Sequence, residues 1–301
     1  MKDIFFFLGK GGVGKSTLSV SLSLYLSKKG FKVFLASIDP AHNLCDILKT
    51  KPFKGIKEVV KNLWVEEVDL DIYLKKYLKD IKDKTYQTYS YLNIFNLDKM
   101  FNIIKLTPGM EEFACLYALK DILSLHSDKD FIVIDTPPTA LTLRILGLPF
   151  VTQRWLEQLS FWRQKILDRR NMVAHIKGKE YFDNQIALNK DDDKVLNELI
   201  VQQKHMDFFA KIFLNKESTH YLLVINPDEL SVKEGKRISK SLRGLDIEIK
   251  LVLLNKRSKN FRFKRDGLFS NFKEIPLLKD PIEKEELIKI ASEWTKDVFK
   301  F

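Results

Sequence analysis

The sequence predicts a three-layer α/β fold: a mostly parallel central sheet covered on both faces, with an α-helical subdomain inserted into it. Three observations carry this. First, short and nearly unbroken apolar runs recur along the chain: Ile4–Leu8, FIVID at Phe131–Asp135, YLLVI at Tyr221–Ile225 and IKLVLL at Ile249–Leu254. A strand buried on both faces reads as such a run, not as an alternation of apolar and polar residues. Second, amphipathic helical patterns separate the runs, and strands alternating with helices imply parallel pairing through crossovers. Third, two stretches, about 70–106 and 152–215, break the alternation and read as helices added to one domain that spans 1–301.

Taken in order, Ile4–Leu8 is the first buried strand and ends at Gly9. The short N-terminus with its single apolar run is read as this strand and not as a leader. A helix follows from Ser16, with Leu18, Leu22 and Leu26 stacked along one side and Gly30 closing it. Lys32–Ser37 is the second strand, Ala41–Leu48 a short helix, and Leu63–Val68 the third strand. The segment from Asp71 to Lys105 is polar, rich in tyrosine and helical in pattern. Glu111–Leu125 is a helix before the FIVID strand. In the second insertion, Trp155, Leu159, Trp162 and Ile166 share one helix face, as do Val195, Leu199, Met206, Phe209 and Phe213. Ser231–Leu242 and Glu283–Phe299 complete the helices.

Bulk composition narrows the function classes. No apolar run reaches the roughly 18 residues a membrane span requires. The net charge is +11, but lysines alternate with acids, as in KDIKDK and EKEELIK, so nucleic acid is not the expected partner. Cys45 and Cys115 are the two cysteines and form no CxxC, which points to a reducing cytoplasm and no structural zinc.

The chemistry starts at GKGGVGKS, which fits G-x-x-x-x-G-K-[ST] at Gly9, Gly14, Lys15 and Ser16. This is the phosphate-binding loop of P-loop NTPases, and it sits where it must, after a buried strand and before a helix. Gly11, Gly12, Val13 and Gly14 supply a tight turn and backbone amides for phosphate oxygens, and the helix that follows, with Thr17 in its first turn, points its positive end at them. Lys15 is expected on the β- and γ-phosphates and Ser16 on Mg²⁺. ATP and Mg²⁺ are therefore the expected cofactors. Asp135 ends a buried strand, the place for a second magnesium carboxylate; a turn aspartate before Pro137 is the competing reading. Asp39 lies just beyond the second strand, at the sheet edge where phosphates bind; an N-cap for Ala41–Leu48 is its competing reading.

Lys10, one residue into the loop, is the mark of the deviant Walker A subclass, and within it the chain resembles the arsenical-pump ATPase family, which includes the ATPases that target tail-anchored membrane proteins. The resemblance rests on separate segments: SIDPAHNLCDIL at Ser37–Leu48, PGMEEF at Pro108–Phe113, DTPPTALTLRILGLP at Asp135–Pro149, LVLLNK with Asn255, and IPLLKDPI near the end. It implies that Asp39 positions or deprotonates the attacking water and contributes to the metal site. It makes Asn43 a phosphate-side group and Asn255 an adenine reader, with Pro276 and Leu277 lining the base pocket. Arg144 braces the switch helix. It also implies a homodimer in which Lys10 reaches the partner's nucleotide, as an arginine finger does.

The chain departs from the family where Ala140-Leu141 replaces the usual Gly-His, where the zinc-binding CxxC of the eukaryotic branch is missing, and where two cysteines cannot supply the three thiolates of an arsenite site. The expected role is a switch that couples ATP to a hydrophobic or tail-anchored client or a membrane partner, with Phe161, Trp162, Met172, Phe208, Phe209 and Phe213 as groove candidates that could equally pack the subdomain's own core. A pump-driving ATPase for ion extrusion and a partitioning or metal-cluster-carrier-like switch are the alternatives.

Overall fold

The structure is a computed structural model that describes residues 3–41, 43–88, 103–105, 107–182, 186–257, 271–278, 282–296 and 298–299. Of the helical stretch expected over about 70–106, residues 89–102 and 106 lie outside those described. Two compact units emerge: residues 1–77, 108–145 and 214–301 form one, and residues 78–107 and 146–213 the other.

The first unit is built on an eight-stranded sheet: β1 (Asp3–Leu8), β2 (Val33–Ser37), β3 (Lys57–Val60), β4 (Leu63–Glu67), β5 (Phe131–Asp135), β6 (Thr219–Ile225), β7 (Ile249–Arg257) and β8 (Phe272–Pro276). The order is β3-β4-β2-β5-β1-β6-β7-β8. Every neighbouring pair is parallel except β3 with β4. β1 lies between β5 and β6, with Phe7 level with Asp135 on one side and Leu222 on the other. Its continuous apolar run follows from this central place: Ile4 to Leu8 are all buried. Phe5 and Phe7 join a core with α1 (Lys15–Lys28) and the last helix (Lys284–Thr295), while Phe6 stacks on Tyr221. α1 and the last helix are pinned where the Ser21 hydroxyl donates to the Leu287 carbonyl at 2.5 Å.

The six strands and the main helices expected from the sequence form within four residues of their predicted bounds. The short helix after β2 shrinks to α2 (Leu44–Ile47), and β3 and β8 are additional edge strands. α3 (Leu70–Thr88) and α4 (Met110–Leu125) follow β4 and precede β5. Glu112, buried in the first turn of α4, accepts the Arg144 Nε at 3.0 Å, the brace expected of that arginine.

In the second unit the two long helices are α5 (Thr139–Lys177), which begins in the first unit, and α6 (Lys194–Leu214). Gln153 donates to Asp207 at 2.5 Å and Gln203 to Ser160 at 3.3 Å between them. Asp193 precedes α6 and is buried; it takes two bonds from Arg163 and one from the Leu196 amide, satisfying an orphan helix N–H. Phe209 and Phe213 are buried, so these two groove candidates belong to the packing of the unit. Phe161, Trp162, Met172 and Phe208 are exposed. So are Val151, Trp155, Leu159 and Ile166, which with Trp162 recur at three- and four-residue steps and form one apolar stripe along α5. Trp155 is 67% exposed and Trp162 62%, while Leu156, Ser160, Leu167 and Ala174 on the other side of the same helix are buried. The two remaining helices, α7 (Glu229–Arg243) and α8 (Lys284–Thr295), belong to the first unit.

Candidate active site

A cavity of about 540 Å³ opens at the carboxyl ends of five parallel strands. Gly11, Gly12, Gly14, Lys15, Ser16 and Thr17 reach it from the turn after β1; Asp39, Ala41, Asn43, Asp46 and Ile47 from beyond β2. Pro138 follows β5, Asn255 and Lys256 end β7, and Leu277, Leu278 and Ile282 follow β8. Open α/β sheets bind ligands at such strand ends.

The loop has the geometry its glycines require. Gly14 has φ +100°, and a Cβ there would overlap the Asn255 amide nitrogen; Gly9 has φ +149°, and a Cβ would overlap the Val224 carbonyl oxygen. Both positions accept only glycine. The amides of Gly11, Gly12, Val13 and Gly14 donate to no group among the described residues, and Gly14 caps α1 without a side-chain bond. Unspent amides at an open helix N-terminus are what a polyphosphate needs.

Lys15 is buried, and its ammonium rests 3.4 Å from the Lys10 carbonyl. Burial pushes its pKa down, against the pull of Asp135 and Asp39. Lys10 itself is exposed and does not line the cavity.

Asp135 ends β5 level with Ser37 of β2 and is 1% exposed. The Ser37 hydroxyl donates to its Oδ2 at 3.1 Å. Its Oδ1 is buried without a partner, and so is the Thr139 hydroxyl four residues on. Burial pushes the Asp135 carboxyl up to about 6, against hydrogen bonds from Ser16 and Ser37 and the charge of Lys15. A buried carboxylate oxygen left unpaired beside the loop's serine fits a magnesium site, whose ligands are hard oxygens. Asp39 is half-buried. Its Oδ1 accepts the Ala41 amide at 3.1 Å, a local turn and not a helix cap, since α2 begins only after Asn43.

Asn255 is buried and donates its amide to the Val13 carbonyl at 2.8 Å. Leu277 lines the cavity and Pro276, exposed at the end of β8, does not. Glu67 lies outside every segment that carries the family resemblance, while Ser37, Lys256, Leu278 and Ile282 lie within such segments without a role of their own read from the sequence. Glu67 ends β4 and accepts the Leu44 and Cys45 amides at 2.8 and 3.1 Å, holding the start of α2. Cys45 and Cys115 are both free and buried.

The sheet, the loop and its helix define a P-loop NTPase. Comparison with known proteins narrows the class. The family described as anion-transporting ATPase matches residues 2–262. A protein of Aquifex aeolicus that carries the provisional name arsenical pump-driving ATPase 2 is 30% identical over 254 residues, 84% of this chain and 79% of that one. An ATPase ASNA1 homolog of Dictyostelium discoideum is 28% identical over 311 residues, 95% of this chain and 87% of its own. ATPase get3 of Schizosaccharomyces pombe is 29% identical over 250 residues, 82% of this chain and 71% of its own. The chain belongs to this ATPase family and is an ATP-hydrolysing enzyme. Among the described residues no helix is long and apolar enough to cross a membrane.

Proposed function

We propose that the chain is one ATPase domain with helical insertions, working in the cytoplasm as a homodimeric switch that hydrolyses ATP with Mg²⁺ and couples its nucleotide state to a hydrophobic client or a membrane partner. The amides of Gly11 to Gly14, the Lys15 ammonium and the first turn with Thr17 cradle the phosphates. Asn43 approaches them from the β2 side. Ser16 and Asp135, with Asp39 nearby, hold Mg²⁺. The ion supplies neutralisation of charge on the β- and γ-phosphate oxygens. Asp39 orients the attacking water, and positioning of that kind supplies most of the catalysis in phosphoryl transfer. Lys10, exposed and outside the cavity of its own chain, is free to serve a partner's nucleotide. Asn255 and Leu277 face the base.

The observation that carries the hydrolytic half is the pair of carboxylates at the ends of neighbouring strands. Asp135 on β5 and Asp39 beyond β2 both act on the Lys15 charge, while the loop amides stay unspent. The client half is supported by the apolar stripe on α5, because a helix face with two exposed tryptophans has found no partner among the described residues of its own unit.

The test is Asp39→Asn. Turnover should fall by at least about 10²-fold, with MgATP affinity within about threefold of wild type. Wild-type turnover in that variant removes Asp39 from its role, and a wild-type protein with no affinity for MgATP or MgADP removes the whole reading.

A further inference from the structure

The last turn of β7 does something the motif does not require. Two consecutive residues there seize two consecutive carbonyls of the phosphate loop: Asn255 Nδ2 donates to Val13 at 2.8 Å and Lys256 Nζ to Gly12 at 2.9 Å. The backbone is distorted to allow it. Between β7 and β8 the register runs Leu254 with Glu274 and then Arg257 with Pro276, so β7 carries one extra residue at this point. Lys256 has φ +56°, a left-handed conformation that a residue with a Cβ adopts only at a cost. A bulge of this kind re-aims a side chain. Beyond it, Arg257 pairs with Glu274 at 2.5 Å and the ladder resumes.

We propose that Asn255 and Lys256 form a clamp that presets the phosphate loop, and that Lys256 is a positioning residue for ATP binding. In a trans peptide the N–H points opposite to the C=O. Holding the Gly12 and Val13 carbonyls therefore fixes the directions of the Val13 and Gly14 amides, which donate to nothing else described. The loop needs such help. Val13 anchors the turn in the core, but a Cβ on Gly11 or Gly12 would meet no neighbour, so no packing contact fixes these two glycines from the side-chain direction. Ordering a backbone costs conformational entropy, and a loop already ordered does not lose it again on binding. The ammonium also brings a cation to the cavity wall. The clamp rests on the reading that Gly9–Ser16 holds a polyphosphate, and it gives a role to Lys256, which the sequence reading left without one.

The experiment compares affinities for MgATP, MgADP and inorganic tripolyphosphate with magnesium, alongside steady-state hydrolysis. Losing a charged hydrogen bond is worth about tenfold in an equilibrium constant. Lys256→Ala should weaken all three ligands about tenfold and raise KM alike, with kcat at saturating ATP within about threefold and the melting point of the nucleotide-free protein unchanged. Lys256→Met, which keeps the stem and drops the charge, should behave as Lys256→Ala; Lys256→Arg should recover most of the loss. Unchanged tripolyphosphate affinity in both uncharged variants overturns the clamp. A loss confined to ATP and ADP also overturns it, since that assigns Lys256 to the nucleoside. If wild-type protein binds none of the three, the polyphosphate reading itself has failed, a result separable from failure of the clamp.

Discussion

Asp135 illustrates how a residue can be poor for stability and right for chemistry. Its carboxyl is buried, and burial pushes its pKa up to about 6 against the pull of Ser16, Lys15 and Ser37. Above that pH the empty protein carries a desolvated negative charge with one oxygen unpartnered. The folded value lies above the ordinary 3.8, so this carboxyl costs nothing at low pH, and its cost grows as pH rises from about 4 to 6. Asp135→Asn should therefore raise the stability of the nucleotide-free protein at pH 7.5 by about 1–2 kcal/mol while stopping Mg²⁺-dependent hydrolysis. Denaturant titrations checks the first, and a destabilised variant would contradict it. The position of Asp135 at the end of an apolar run made it legible in the sequence. Asp39, Lys15 and Ser16 were legible in the same way, because strand and loop order alone bring them to one strand end. The contacts of Glu67, Ser37 and Lys256 were not. Each depends on which strands become neighbours: Ser37 meets Asp135 across 98 residues, and Lys256 meets Gly12 across 244.

Strands and helices show the same division. β1, β5 and β6 announce themselves because central parallel strands must be apolar on both faces. The edge strands β3 and β8 do not, since KEVV and FKEIP are half-exposed and carry charge, as edges do. In the helical stretch the surprise is α5, which continues from Thr139 to Lys177 with Pro149 inside it. Proline in a helix interior removes one backbone hydrogen bond, and the helix runs on through it. α6 owes its start to Asp193. Burial pushes that carboxyl up, but the Arg163 hydrogen bonds and the Leu196 amide outweigh it and leave it below the usual value. Asp193→Ala removes two hydrogen bonds from the half-buried Arg163 and uncaps the helix, and should cost about 3 kcal/mol of stability near pH 7. With the folded pKa depressed, the Asp193 contribution is full above the unfolded value near 3.8 and disappears as pH falls through the lower folded one. Circular-dichroism melts of variant and wild type should therefore converge in acid. A gap that stayed constant down to pH 2 would mean that packing, not charge, carries the effect.

At the scale of the molecule, the chain joins a nucleotide-ready sheet to a helical unit whose apolar stripe is left open. If the stripe is the client face, replacing both Trp155 and Trp162 by Asp should leave ATP hydrolysis within about twofold and abolish ATP-dependent capture of a roughly 20-residue apolar segment. Undiminished capture by the double variant would place the client elsewhere. The sheet order has a different consequence, for biosynthesis. β1 is made first, yet its two hydrogen-bonding neighbours are β5 and β6, which begin at residues 131 and 219. The loop that follows β1 gains its outer supports only when residues 255 and 256 have been made. At about 5–20 residues per second, β1 waits something like 6–25 seconds for β5 and 10–40 seconds for β6. The apolar strand DIFFFL thus waits for cover, and no fragment that stops short of β7 should grip a nucleotide.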